Sequence, residues 1–212
     1  SEGQVAALLL WLVLLAFSLN ASLLRTLHAN PLYQHLCLGS AIVLVPLWTL
    51  RAGLHEGLEI HFLGLTSLTL LLGWRLALLA PCLTLLILAA FDVTELADIG
   101  WQALIGVALP VATSWLLFLA SWAWLPRHLF VYLFVAAFLG GALSISVKVI
   151  ASALLMGMSG TYPWHTIGAD YLSIWPLLLF PEALLNGMTM TLLAVYRPHW
   201  VNTFFDREYL GR

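Results

Sequence analysis

Imidazole and carboxylate side chains are concentrated in one short segment of the sequence. His55, Glu56, Glu59 and His61 lie there, directly before a short apolar run that begins at Phe62. Imidazole nitrogens and carboxylate oxygens are the usual protein ligands of divalent transition metals. We therefore predict a metal site that includes His61, at the mouth of the apolar run, and His55.

Further metal-ligand types occur in other polar breaks of the sequence. The topology argued below places these breaks on the same side of the protein as His61, and Asp92 and His165 complete the predicted ligand set. The alternative for each acidic residue is ordinary solvation of a loop. The remaining acidic residues of these breaks, for which solvation is the simpler reading, are Glu95, Asp98 and Asp170.

Two charged residues fall inside long apolar segments. Lys148 and Glu182 each lie about seven residues, or roughly 10 Å at 1.5 Å per residue, from the predicted outer ends of their helices. Ionisable groups at membrane depth are costly and usually have partners. We predict that the two form an intramembrane polar pair, which fixes helix register or, alternatively, acts as a gate or lines a substrate cavity.

The composition determines the solvent in which these residues work. The chain has 212 residues, of which 62% are hydrophobic and 8% are charged, and its mean hydropathy is +0.99. Ordinary soluble domains carry about a quarter charged residues. The long Leu-, Ala- and Val-rich runs favour helices over a barrel. Residues 1–212 are therefore predicted to form a single all-α integral membrane domain, and the net charge of −2 gives no reason to expect nucleic acid.

Seven apolar stretches are long enough to suggest a polytopic protein with about seven transmembrane helices. The third and fourth are separated only by Gly73, Trp74 and Arg75, which predicts a tight helical hairpin with a short third helix. Short or interrupted helices often border binding sites in transporters. The predicted spans are Val5–Leu24, Leu36–Leu54, Phe62–Leu72, Leu76–Phe91, Ala103–Trp122, Phe130–Leu155 and Trp175–Val195.

The arginines indicate how these spans are oriented. Six of the seven arginines lie in alternate breaks or after the last span, and only Arg51 lies on the other side. The positive-inside rule then predicts an N-terminus outside and a C-terminus in the cytoplasm. We expect a multi-pass protein of the inner (plasma) membrane, in contact with the lipid bilayer.

Several function classes lack their motifs in this sequence. It has no phosphate-binding loop of the G-x-x-x-x-G-K-[ST] type, no H-E-x-x-H pair and no nucleophile motif, so we do not expect an enzyme. ATP hydrolysis would need separate subunits. Cys37 and Cys82 lie within predicted spans and are expected to serve in apolar packing.

Five pieces of the chain resemble motifs of the CbiM/NikM family, in family order. Residues 61–66 and 70–75 resemble its H-L-L-G-G and L-L-G-P-W pieces, and residues 91–110 its F-G-D-G-G-L-T-A-L-G-A-N stretch. Residues 181–187 and 195–198 resemble the closing P-E-G-L-I-T-G and R-V-R-P pieces. Members of this family are the substrate-capture membrane subunits of cobalt and nickel energy-coupling-factor transporters.

The resemblance implies a fold, a cargo and partners. It implies a six-helix substrate-capture core with an extra N-terminal helix, which captures nickel or cobalt from the outer side with His61 as a ligand. Copper and zinc remain open as cargo. It further implies a transmembrane coupling subunit and cytoplasmic ATPases, which together drive an ABC-type transporter.

The beginning of this sequence departs from the family pattern. Family members begin with Met-His-Ile-Pro-Asp-Gly, whose terminal amine, histidine amide and imidazole bind the metal, whereas this sequence begins with Ser1-Glu2-Gly3-Gln4. Either a few native residues precede this sequence, or this divergent member binds its cargo differently. The alternative function is a non-transporting membrane subunit, or a metal-centre assembly factor, of a larger membrane complex.

Overall fold

The computed structural model describes residues 2–51, 60–205 and 209, and the elements in these ranges are helices. We number nine of them in chain order. They are α1 (Glu2–Ser18), α2 (Ala21–Ala29), α3 (Pro31–Thr49), α4 (Leu65–Leu72), α5 (Trp74–Ala90), α6 (Leu96–Trp124), α7 (Leu129–Met158), α8 (residues 164–172) and α9 (Trp175–Tyr196).

The first predicted span ends earlier than its apolar composition suggests. α1 ends at Ser18, and the side-chain oxygen of Asn20 accepts a hydrogen bond from the Leu23 N–H at 2.7 Å, which starts a new helix. An N-terminal asparagine cap of this kind satisfies a backbone donor that has no partner within the helix. α2 therefore leaves the α1 direction by 69°, and the prediction of one helix through Leu24 was wrong.

The predicted all-helical membrane architecture is confirmed, and the count of seven transmembrane helices stays a prediction. Within the described ranges, α3, α6, α7 and α9 are long and apolar enough to cross a membrane, and α1 with α2 makes a bent fifth candidate. α5 is apolar but has 17 residues. α4 has eight residues, about 12 Å of helix, which is too short for a hydrocarbon core of about 30 Å.

The short helix α4 lies at the centre of the bundle, and each of its eight residues is buried. α7 packs closely against α4 at a glycine, since a Cβ atom added to Gly140 would lie 2.9 Å from Cγ2 of Thr66. A Cβ atom on Gly141 would lie 2.9 Å from Nδ2 of Asn186 in α9. These two glycines therefore allow α7 to pack closely against α4 and α9.

The carboxyl end of α4 is covered by the segment that follows α9. The backbone N–H groups of Asn202 and Thr203 donate to the carbonyls of Leu71 at 2.9 Å and Leu70 at 3.3 Å. The chain then turns into α5 at Gly73, whose φ of +80° favours glycine and whose added Cβ would lie 2.7 Å from Nδ2 of Asn202. The predicted break at Gly73 and the predicted short helix before it are confirmed, and the break lies against the C-terminal segment. The hairpin arrangement of α4 and α5 stays a prediction.

The two ends of α1 mark two ends of the bundle. At its carboxyl end, the Ser18 carbonyl accepts a hydrogen bond from Nη1 of Arg75 at 3.0 Å. At its amino end, Nε2 of Gln4 donates to Oδ1 of Asp98 at 2.8 Å. Arg75 and Asp98, which the charge pattern predicted to lie on opposite sides, therefore contact opposite ends of one helix.

Candidate metal site

His61 lies in the segment that leads into α4, half-buried and outside the helices. Its imidazole packs on the indole of Trp48, near the end of α3, with 5.5 Å between ring centroids. An open cleft of about 340 Å³ lies beside the imidazole, between the segment that carries His61 and the neighbouring helices. The described residues that line the cleft are Thr49, Leu50, Arg51, Ile60, His61, Phe62 and Leu178.

The hydrogen bond of the imidazole sets its tautomer. Nδ1 of His61 lies 2.9 Å from the backbone carbonyl oxygen of Phe62. A carbonyl oxygen can only accept a hydrogen bond, so Nδ1 carries the hydrogen and Nε2 keeps its lone pair. Ligating histidines in metalloproteins are commonly fixed by this kind of contact at the other ring nitrogen.

The surroundings of His61 keep the imidazole neutral. Desolvation by the surrounding protein, followed by the positive charge of Lys148, lowers the pKa of His61 to about 3. Arg51 adds a smaller effect in the same direction. A neutral imidazole is the form that binds a metal ion, so His61 can offer Nε2 without first losing a proton.

The backbone between His61 and α4 is held from two directions. Nε1 of Trp48 donates to the Leu63 carbonyl at 3.0 Å, and the Glu182 carboxylate accepts from the Leu63 N–H at 2.9 Å. The same carboxylate accepts from the Gly64 N–H, also at 2.9 Å. Gly64 has a φ of +65°, a conformation that glycine adopts without steric cost, and it directly precedes the first residue of α4.

α9 thus supplies the N-terminal cap that α4 itself lacks. Gly64 has no side chain that could cap α4. Two side chains of α9, Glu182 and Asn186 one turn further along, act as the cap instead. Oδ1 of Asn186 accepts from the Ser67 N–H at 2.8 Å, and Nδ2 of Asn186 donates to the Glu182 carboxylate at 2.8 Å. Because the first N–H groups of a helix have no acceptors within it, these contacts fix where α4 begins.

The predicted partnering of the intramembrane charges is clear for Glu182. Its side chain is fully buried, and three N–H donors satisfy the carboxylate. Lys148 is also buried, with 8% of its surface exposed, and its charge acts on His61. A direct pair between Lys148 and Glu182 stays a prediction.

The other predicted ligands lie apart from the described lining of the cleft. Asp92 is exposed, and with a φ of +56° it ends α5, where the Val93 N–H bonds to the Leu88 carbonyl at 2.9 Å. His165 is exposed in α8. His55 belongs to residues 52–59, outside the described residues. Within the described ranges no three His, Cys, Asp or Glu side chains are grouped to hold a metal, so this ligand set stays a prediction.

Sequence reasoning missed two polar features around the site. Nη2 of Arg51 donates to Oγ1 of Thr94 at 2.9 Å, which joins the cleft to the loop before α6. In the bundle interior, the buried hydroxyl groups of Thr66, Ser114 and Ser144 lie within 3.1 Å of one another and connect α4, α6 and α7. Single hydroxyl residues at unrelated spacings carry no signal that would bring them together.

Comparison with protein families gives a match over most of the chain. A family model described as the cobalt uptake substrate-specific transmembrane region (CbiM) matches residues 2–200. No curated protein and no solved structure matches the chain.

Proposed function

The chain belongs to the CbiM family of cobalt-uptake substrate-specific transmembrane proteins, and from this premise we propose that it is the substrate-capture subunit of an energy-coupling-factor transporter. Its cargo is a divalent transition metal ion, nickel or cobalt, taken from the outer side of the inner membrane. The subunit performs no catalysis itself. A transmembrane coupling subunit and cytoplasmic ATPases supply the energy that releases the metal inward.

The orientation of His61 is the observation that supports metal capture most directly. Its Nδ1 is bonded to the Phe62 carbonyl, which leaves the lone pair of Nε2 for a ligand. The imidazole also lines an open cleft, so a metal ion can reach it. One imidazole does not make a transport site, and His55, Asp92 and His165 are the donors that we propose complete it.

The arrangement of the bundle supports capture at one end and coupling at the other. His61 lies before the amino end of α4, whereas the carboxyl end of α4 is bonded to Asn202 and Thr203. The arginine pattern supports the proposal that the end with Arg75 and Asn202 faces the cytoplasm. We propose that the coupling subunit docks at that end, which is separated from the proposed metal site by about the length of α4.

Metal binding to the purified full-length protein with its authentic N-terminus tests this function. Nickel, cobalt, copper and zinc are titrated in turn into the wild type, into His61→Ala and into His28→Ala, a control at an exposed histidine of α2. We expect stoichiometric binding of nickel or cobalt that is lost in His61→Ala and kept in His28→Ala. Equal binding by both variants would show that His61 is not a ligand. No binding by the wild type would contradict the proposed function itself.

A further inference from the structure

A second cavity opens on the bundle surface between α1, α5 and α6, and it encloses about 570 Å³. The described residues that line it are all aliphatic or tryptophan and phenylalanine. Leu10, Leu14 and Phe17 come from α1, and Trp74 and Leu78 come from α5. The α6 wall includes Ala108, Ala112 and Trp115.

This groove has the size of a ligand site and the lining of a hydrocarbon site. Small-molecule pockets span roughly 300–1,000 Å³. An apolar lining disfavours ordered water in the groove, because water needs polar partners to be held in a cavity. α6 is a candidate membrane span and α1 belongs to a bent one, so the groove lies where lipid chains surround the protein.

A cation lies at one end of the groove. The Phe17 and Trp74 rings that line this end are stacked at 6.4 Å, and the Arg75 guanidinium carbon lies 4.6 Å from the Trp74 ring centroid. Arg75 also donates to the Ser18 carbonyl at 3.0 Å. Among the residues that the structure describes, Arg75 contacts the Ser18 carbonyl and the Trp74 ring, and both groups are neutral. A guanidinium has five N–H donors, so several N–H donors of Arg75 remain for an anion.

We propose that the groove binds one anionic phospholipid, with an acyl chain along the α1, α5 and α6 walls and its phosphate at Arg75. The guanidinium suits a phosphate because its planar donors match two phosphate oxygens. Basic positions at the ends of membrane helices bind anionic headgroups in the same way. The bound lipid fills the space beside α1 and holds that helix on α6. The inference does not depend on the metal.

Native mass spectrometry of the purified full chain, titrated with phosphatidylglycerol or phosphatidylcholine, tests the proposal. We expect one phosphatidylglycerol to bind in preference to phosphatidylcholine. Arg75→Gln removes the charge at the groove end and should weaken phosphatidylglycerol binding about fivefold. Arg127→Gln is the matched control, because Arg127 lies 4.3 Å over another tryptophan, Trp122, that does not line the groove.

A second variant tests the acyl chain without touching the charge. Ala112 is exposed on the groove wall, so Ala112→Trp fills the groove without disturbing the buried core and should weaken binding about tenfold or more. Leu143→Trp, at an exposed position of α7 outside the groove lining, should leave binding unchanged. Equal binding by these two variants would overturn the proposal. So would equal affinity for the two lipids, or a copurifying polypeptide that crosslinks to position 112.

Discussion

Glu182 and Gly64 are 118 residues apart in the sequence, yet a carboxylate oxygen of Glu182 lies 2.9 Å from the backbone nitrogen of Gly64. The bond joins the last long helix to the start of the short buried helix α4. It also fixes the chain three residues after His61. A charged side chain at membrane depth is here the structural support of the proposed metal site, which explains why a costly residue is placed there.

Replacement of Glu182 by glutamine should destabilise the protein. The amide keeps the size of the side chain but presents an NH₂ group where the Leu63 or Gly64 N–H needs an acceptor. A buried donor without an acceptor costs about 1–3 kcal/mol. Thermal unfolding in detergent measures the loss. Glu95→Gln, at an exposed carboxylate, is the control, and equal unfolding temperatures for the two variants would contradict the role given to Glu182.

Trp48 should report metal binding by its fluorescence. Its indole ring centroid lies 5.5 Å from that of His61, so a paramagnetic ion such as Cu²⁺ or Co²⁺ bound to the imidazole should quench its emission strongly. Trp48→Phe should lose this component of the quenching. Trp124→Phe, at a residue that is 83% exposed, should keep it. If the metal-dependent quenching is the same in both variants, the ion binds elsewhere.

Gly141 should tolerate no side chain. An added Cβ atom would lie 2.9 Å from the Asn186 amide nitrogen and 3.0 Å from the Glu182 carbonyl oxygen. Overpacking of this kind costs about 1–3 kcal/mol, so Gly141→Ala should unfold at lower temperature than the wild type. Gly106→Ala is the matched control, since a Cβ atom there meets nothing within 4 Å. A Gly141→Ala protein as stable as the control would argue against the close approach of α7 and α9.

Thr203 should stabilise the carboxyl end of α4. Its hydroxyl lies 2.7 Å from the Leu70 carbonyl oxygen and 2.7 Å from the Tyr132 hydroxyl, and all three groups are buried. Thr203→Val keeps the shape and removes both bonds, which should cost about 1–3 kcal/mol and speed hydrogen exchange at Leu72 and Gly73. Thr191→Val, on an exposed face of α9, should change neither measurement. Unchanged exchange in Thr203→Val would mean that the C-terminal segment does not hold α4.

The apolar runs predicted the fold class well, because a long lipid-facing helix leaves a continuous pattern in the sequence. The chain break at Asn20 was missed, since a capping asparagine competes with an apolar pattern that continues through Leu24. His61 stands out in the sequence as a candidate ligand because its residue type is unusual at the edge of an apolar segment, and its role as a ligand stays a prediction. The backbone partners of Glu182 were missed: spacing suggested Lys148 as its partner, which stays a prediction, and the structure adds the backbone N–H groups of Leu63 and Gly64. Backbone partners have no residue-type signal, so only the folded chain reveals them.

Cobalt K-edge X-ray absorption of the loaded full-length protein tests the central claim most directly, because imidazole ligands add a characteristic outer-shell scattering pattern. The wild type, His61→Ala and His28→Ala are each loaded with one equivalent of Co²⁺ and compared. We predict that the cobalt in the wild type and in His28→Ala has one imidazole ligand more than any cobalt retained by His61→Ala. An identical coordination shell in all three proteins would show that His61 does not bind the metal.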